Sequence, residues 1–291
     1  MGQDLATHCA GAREVFDIAA EVLGYDLLAL CAGGPEEQLK RTEYAQPALL
    51  LTGVACWRAA SERGLTAVFA AGHSLGEYTA LAAAGALELR EAVRLVNRRG
   101  ELMAQAAAGR PGAMAALLGL TREQVEQICA QAAEAGVVQT ANFNCPGQIV
   151  ISGETEAVAH GRKLAAAEGG KAIPLPVSGA FHSPLMAEAG EQFARELAEA
   201  TFSDAQIPVV ANVSADAVRT PAEIRDALTR QMASPVLWED SMRRLIANGV
   251  TTFVELGPGG KLTGMMGRID PTVRRLCIED TASLDKALEV G

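Results

Sequence analysis

The residues with the most chemical promise are grouped at Gly72-His73-Ser74-Leu75-Gly76, after the apolar run 67–71 and before the helix-like stretch 77–84. Strand, tight turn with serine at its apex, then helix is the setting of a nucleophile elbow. Gly72 and Gly76 let such a turn close where a Cβ would meet backbone, and the bend strains the serine between them. Ser74 Oγ is then lifted clear of the sheet. The helix start points backbone N–H groups at whatever that oxygen attacks.

A serine nucleophile needs a base within hydrogen-bond reach. The chain has four histidines. His73 adjoins Ser74, so its side chain points away from that of its neighbour. His8 lies near the N-terminus. His160 stands in a helix among Glu154, Glu156, Arg162 and Lys163 and reads as solvated. His182 falls in Gly179-Ala180-Phe181-His182-Ser183-Pro184, a loop fixed by glycine and proline at a crossover between domains, where clefts form. His182 is the candidate base. The acidic residues between Ser74 and His182 that could complete a triad, Glu154, Glu156 and Glu168, read as solvent-facing helix charges. A backbone carbonyl is the alternative partner for the imidazole, giving a dyad.

A third group stands out by periodicity. In 90–104 the apolar positions Ala92, Val93, Leu95, Val96, Leu102 and Met103 form a stripe, and Arg99 falls on it. Arg94, Arg98 and Glu101 fall on the polar face. A buried arginine requires an anion, because an unpaired buried charge costs several kcal/mol. The partner is either an internal carboxylate or the carboxylate of a substrate, which a guanidinium fork fits bidentately. Serine, histidine and arginine together suggest acyl transfer of a diacid half-ester or half-thioester.

With 291 residues and 49% hydrophobic composition, the chain can bury a large core in one domain with an insertion, or in two domains. No apolar run approaches the ~18–20 residues of a membrane span, and no secretory signal pattern opens the chain. Met1-Gly2 fails the myristoylation pattern because residue 6 is Ala. Asn212-Val213-Ser214 is a formal glycosylation sequon without a secretory context. The six cysteines are scattered, with no Cys-x-x-Cys pair, and read as reduced thiols in a cytoplasmic protein with no metal site. A net charge of −10 argues against nucleic acid and anionic membranes as partners, and an aromatic content of 4% against base-stacking platforms.

Segments 12–23 and 47–60 read as helices, the second with Pro47 in its first turn. Strand 67–71 and helices 77–86 and 90–104 follow. Then 112–120 reads as a strand, Thr121 opens a helix through a capping box with Gln124, 137–143 and 148–152 are strands about the Pro146-Gly147 turn, 154–168 is a helix and 171–177 a strand. That β-α-β-β-α-β order is the split-βαβ arrangement. Residues 112–178 are therefore expected to be a small domain inserted in a larger α/β domain of residues 1–111 and 179–291. The larger one resumes with helix 184–200, strand 207–213, helices 221–231 and 236–248, strand 251–256 and helix 260–268, which implies a mainly parallel sheet.

Taken in order along the chain, these motifs resemble the malonyl-CoA:acyl carrier protein transacylase family. The matching residues are Gly72-His73-Ser74-Leu75-Gly76-Glu77-Tyr78, Val93-Arg94-Leu95-Val96 to Arg99-Gly100, Asn142-Phe143-Asn144 with Pro146-Gly147-Gln148, Val177 to Ser183, Ser234-Pro235-Val236-Leu237-Trp238 and Glu255-Leu256-Gly257-Pro258-Gly259. The resemblance implies an α/β-hydrolase-like core with a ferredoxin-like inserted subdomain. It implies Ser74 as nucleophile, His182 as base and Arg99 as clamp for the malonyl carboxylate. Leu75 N–H would be one oxyanion donor, and a main-chain carbonyl from 235–237, around Leu237, would orient the histidine. Phe181 resembles the malonyl-selecting form of a related motif. Substrate and partner would be malonyl-CoA and acyl carrier protein, in fatty acid or polyketide synthesis, with no permanently bound cofactor and a monomeric state. The carrier is acidic, so docking needs a local basic patch, for which Lys171, Arg243, Arg244, Arg274 and Arg275 are candidates.

The family also opens with a strand and a Gly-Gln-Gly-Ser/Ala-Gln loop that supplies a second oxyanion donor, and Met1-Gly2-Gln3-Asp4-Leu5 looks like the segment after it. The expectation is a shortened record of an ordinary enzyme rather than a crippled variant. The rival functions are a serine thioesterase or hydrolase on the same elbow, and an inactive subunit that docks the carrier.

Overall fold

The computed structural model describes residues 1–177 and 179–289. Ser178, part of the loop motif that leads to His182, and residues 290 and 291 lie outside the described residues. In chain order the strands are β1 (Ala70–Ala71), β2 (Gly112–Leu118), β3 (Val138–Cys145), β4 (Gln148–Glu154), β5 (Lys171–Pro174), β6 (Val209–Val210), β7 (Ala217–Val218), β8 (Thr252–Leu256) and β9 (Arg274–Ile278).

Residues 112–174 make an antiparallel sheet in the order β3-β4-β2-β5. Helices Arg122–Ala132 and Thr155–Ala167 cover it. Their Val125, Ile128, Val158 and Ala165 close over Leu117, Ile149 and Ile151 in a separate small core. The first helix opens on the expected capping box, with Gln124 N donating to Thr121 Oγ1 and Thr121 N to Gln124 Oε1. This is the split-βαβ order with its outer strands added on either side of the β4-β2 pair.

The rest is α/β. β1 pairs with β6 and β8 with β9, both parallel, and β7 lies antiparallel to β6. Helices Ala10–Leu23, Thr42–Glu62, Leu89–Gly109, Ala187–Glu199 and Pro221–Gln231 bury Val15, Leu50, Leu95, Phe193 and Leu228 in one large core. Gly100 allows two of them to lie flush, since a Cβ there would stand 2.9 Å from Glu43 Cα. That close approach brings Arg99, in the middle of one helix, to Gln46 on the other.

Several expected elements differ in extent. The helix around Pro47 begins at Thr42, so Pro47 stands in its second turn and deletes one rung of the ladder there. Strand 67–71 contracts to β1, at the edge of the β1-β6-β7 sheet, and Val68, which precedes it, is 70% exposed. Strand 207–213 contracts to β6, and 171–177 stops at Pro174, ahead of a second proline at 176. The Arg99 helix runs past 104 to Gly109.

The two parts are stitched along β3. Val236 N donates to Ala141 O at 2.8 Å and Phe143 N to Val236 O at 2.9 Å, so segment 234–237 lies against β3 as a parallel bridge. From the same strand, Gln139 Nε2 donates to His182 O at 2.8 Å, and Asn144 Oδ1 stands 2.8 Å from His73 Nε2. The small sheet therefore braces the loops on both sides of the elbow.

Candidate active site

Ser74 has φ 51°, in the left-handed region that costs a non-glycine residue on the order of 1–2 kcal/mol. Three bonds hold it there. Its N–H donates to Asn212 Oδ1 at 2.6 Å, and its C=O accepts from Gln231 Nε2 at 3.0 Å. Asn212 Nδ2 donates to Gly72 O at 2.7 Å, so one side chain brackets the turn. The two flanking glycines are not equivalent. A Cβ at Gly72 would lie 1.9 Å from Gly76 O, whereas one at Gly76 would meet nothing within 4 Å. The sequence-based expectation of a steric need at both positions holds for Gly72 alone. Leu75 precedes the helix Gly76–Ala83, and its N–H belongs to the set that a helix leaves without intrahelical acceptors.

Ser74 Oγ lies 2.7 Å from His182 Nε2. His182 Nδ1 lies 3.1 Å from both Gln231 O and Ser234 O. Carbonyls only accept, so Nδ1 carries the proton and Nε2 is the free acceptor facing the serine hydroxyl. The imidazole is thus oriented by main chain, as the dyad alternative required. The carbonyls come from 231 and 234, not from 235–237. Leu237 instead donates its N–H to Asn212 O at 2.9 Å and caps the next helix, so it supports the residue that brackets the elbow. His182 is 4% exposed and has φ 57°, a second left-handed backbone held by the Gln139 bond. Burial, aided by the Arg99 charge and by His73, lowers its pKa to about 3, so it is neutral and able to accept a proton across the physiological range. His8 is exposed beside Asp4, and Glu154 is engaged by Arg110 and Val137 N, so neither enters the site. Phe181 is half-buried where the large core meets a cluster containing Leu118 and Leu175.

Arg99 is 1% exposed, as its place on the stripe predicts. Arg94 and Arg98 lie outside on the polar face, paired with Glu91, Glu101 and Glu196. Among the described residues the acceptors of Arg99 are all neutral oxygens: Gln46 Oε1 at 2.6 Å, Gln231 Oε1 at 3.0 Å and Ser74 Oγ at 3.1 Å. Its Cζ lies 5.7 Å from the centre of the Tyr78 ring, and its buried Nε has no partner among the described residues. A carboxylate does stand nearby. Glu77, 1% exposed, accepts from Gln231 Nε2 at 2.7 Å and from Asn212 N at 3.1 Å, one amide removed from the guanidinium. Burial raises its pKa to about 7 against the opposing pull of those bonds and of Arg99.

Sequence reasoning thus found Ser74, His182 and Arg99, which the structure brings together, and missed Gln46, Glu77, Asn212 and Gln231, which hold them. Glu77 carries a signal in hindsight, being the one charged residue of the helix Gly76–Ala83.

The chain matches known proteins over most of its length. The acyl transferase domain profile matches residues 1–271. A malonyl CoA-acyl carrier protein transacylase of Bacillus subtilis is 44% identical, over 99% of this chain and 92% of that protein. The crystal structure of an acyl carrier protein S-malonyltransferase from Vibrio cholerae superposes with a TM-score of 0.95 at 45% identity, covering 99% of this chain and 94% of that one. A malonyl-transacylase solved in complex with a type II PKS acyl-carrier protein gives 0.96 at 43% identity, with 99% and 94% covered.

Two outcomes are expected. Gly72→Ala should lose about 3 kcal/mol or more of stability, while Gly76→Ala stays folded, as read by thermal unfolding; equal losses would contradict the asymmetry. Because a lowered histidine pKa leaves the base unprotonated down to acid pH, acylation of Ser74 in the Glu77→Gln protein should show no acid limb near pH 6.5. A limb centred there would mean that His182 titrates as an ordinary histidine.

Proposed function

The chain belongs to the acyl transferase family of malonyl-CoA:acyl carrier protein transacylases, and on that premise we propose that Ser74, His182 and Arg99 carry malonyl from malonyl-CoA to the carrier thiol through a malonyl-Ser74 ester. The observation that supports this most is the contact of one serine oxygen with both groups: 2.7 Å to the imidazole and 3.1 Å to a buried guanidinium.

The proposal has these steps. His182 Nε2 takes the Ser74 proton as Oγ bonds to the thioester carbonyl carbon. Leu75 N–H, at the start of the elbow helix, donates to the oxygen that becomes negative. The C–S bond breaks, and the coenzyme A sulfur leaves with the proton from His182. The phosphopantetheine thiol of the carrier then gives its proton to His182 and attacks the ester carbon, and Ser74 Oγ departs and recovers that proton. Arg99 selects acyl groups that end in a carboxylate and keeps the ester in place between the two half-reactions. Phe181, beside the base, limits the bulk of the acyl chain. None of these steps calls for a metal or a permanently bound cofactor. The same proposal has residues 112–178 as an inserted subdomain and the enzyme as a cytoplasmic monomer. Among the described residues no helix is long and apolar enough to cross a membrane.

The candidates for a basic patch that meets an acidic carrier remain Lys171, Arg243, Arg244, Arg274 and Arg275. Arg243 pairs with Glu239 and Arg244 with Asp216, and Arg275 is engaged by the carbonyls of Asp270 and Pro271. Lys171 at the start of β5 is exposed.

Radiolabelled malonyl-CoA with and without holo-carrier tests the proposal. Ser74→Ala should take up no label. Arg99→Ala should lose about 10²-fold in preference for malonyl over acetyl, the scale for removing a charge-assisted contact. Label retained by Ser74→Ala, or an unchanged preference in Arg99→Ala, overturns the corresponding assignment. Release of free malonate faster than transfer to the carrier would instead make the protein a hydrolase.

A further inference from the structure

We propose that Glu77 is a positioning residue for Arg99: its carboxylate holds the side-chain amide of Gln231 with the oxygen turned toward the guanidinium, and so aims Arg99 at an acyl carboxylate on Ser74. The inference rests on the reading of Arg99 as the carboxylate clamp.

An amide can present either end to a neighbour, and its surroundings decide which. Gln231 Nε2 meets two acceptors, Glu77 Oε2 at 2.7 Å and Ser74 O at 3.0 Å, and Oε1 is left for Arg99 at 3.0 Å. The reversed amide would set N–H groups against the guanidinium and an oxygen against two acceptors. Glu77 Oε2 is itself fixed by Asn212 N at 3.1 Å. The second anchor of Arg99 is built the same way. Gln46 Nε2 donates to Thr42 Oγ1 at 2.7 Å and to Met103 Sδ at 3.3 Å, which turns Gln46 Oε1 to Arg99 at 2.6 Å. Both glutamines thus have acceptors at the nitrogen and the guanidinium at the oxygen, and Glu77 does for one what Thr42 does for the other. Two fixed oxygens hold the plane of the fork from NH1 and NH2, and that plane decides whether both nitrogens reach a carboxylate. Glu77 is sealed beneath the site at 1% exposure and accepts no bond from Arg99, so its hold on the guanidinium passes through Gln231, apart from its bond to Asn212 N, which supports the elbow.

The test separates the position of the acceptor from its charge. Glu77→Asp keeps the charge and withdraws the oxygen by about one bond length, ~1.5 Å. Glu77→Gln removes the charge and keeps an oxygen in place. The readout is the ratio of kcat/KM for malonyl-CoA to that for acetyl-CoA, with holo-carrier as acceptor. Glu77→Asp is expected to lower the ratio about 10-fold or more, since misplacement on the order of 1 Å at a positioning contact is costly, and Glu77→Gln to hold it within about 3-fold. Equal losses of both transfers in Glu77→Asp, an unchanged ratio in that variant, or a ratio lost in Glu77→Gln overturns the proposal. Should Glu77→Asp fail to fold, Gln231→Met keeps chain length, removes the oriented amide and is expected to lower the ratio likewise; an unchanged ratio there overturns it too. If Arg99→Ala loses the ratio while the Glu77 variants keep it, the clamp stands and only the role of Glu77 falls. If Arg99→Ala keeps it, the clamp reading fails first.

Discussion

A buried guanidinium held, among the described residues, only by neutral oxygens is the constraint around which the rest of this structure is arranged. Two glutamines and a serine hydroxyl satisfy part of its hydrogen-bonding capacity and none of its charge. Removing a cation from water without a directly paired anion costs several kcal/mol. Helix packing meets that cost: the large core fixes the Arg99 helix against Thr42–Glu62, and Gly100 lets them approach closely enough for Gln46 to reach. Glu77 offsets part of it from one amide away. What is left over is an unfilled preference for negative charge within 3.1 Å of the nucleophilic oxygen. On the proposed reading of Arg99 as a clamp, selectivity for acyl groups with a free carboxylate follows from that unfilled preference, because an acyl chain without one leaves the guanidinium as poorly compensated as before.

The same economy appears at the proposed nucleophile and base. Ser74 and His182 both occupy left-handed backbone, and each is held by bonds to side chains rather than by regular structure. Gln231 serves three parts of the site: its amide oxygen meets Arg99, its amide nitrogen meets Ser74 O, and its carbonyl meets His182 Nδ1. It sits at the last turn of the helix Pro221–Gln231, where carbonyls are left without intrahelical partners, so orienting the imidazole uses an acceptor that the helix end already offers. β3 contributes from the other sheet through Gln139 and Asn144. The site is therefore shared between the four-stranded antiparallel sheet and the rest of the chain, and neither alone fixes both the elbow and His182.

Much of this was legible in residue types. The elbow followed from Gly-x-Ser-x-Gly between a strand and a helix. Arg99 followed from a charge on an apolar stripe, and the split-βαβ unit from its capping box and Pro-Gly turn. His182 emerged by eliminating the other histidines. Less legible was everything that depends on who faces whom. A carbonyl that orients a histidine leaves no mark in sequence, so Gln231 and Ser234 could not be told from 235–237. Asn212 was visible only as part of a formal sequon, while its side chain spans the elbow. Gly76 looked as confined as Gly72 because the motif is symmetric; the backbone it frames is not. Strand lengths were overestimated at 67–71 and 207–213 because an apolar run marks where a strand could form, whereas its length depends on the partner alongside.

The most direct measurement of the central claim is the crystal structure of the protein after reaction with malonyl-CoA in the absence of carrier. A malonyl ester on Ser74 is expected, its free carboxylate accepting hydrogen bonds from the terminal nitrogens of Arg99 at about 2.7–2.9 Å, the range of charge-assisted contacts. A malonyl-serine whose carboxylate lies in solvent, with Arg99 still bonded only to Gln46 and Gln231, would contradict it.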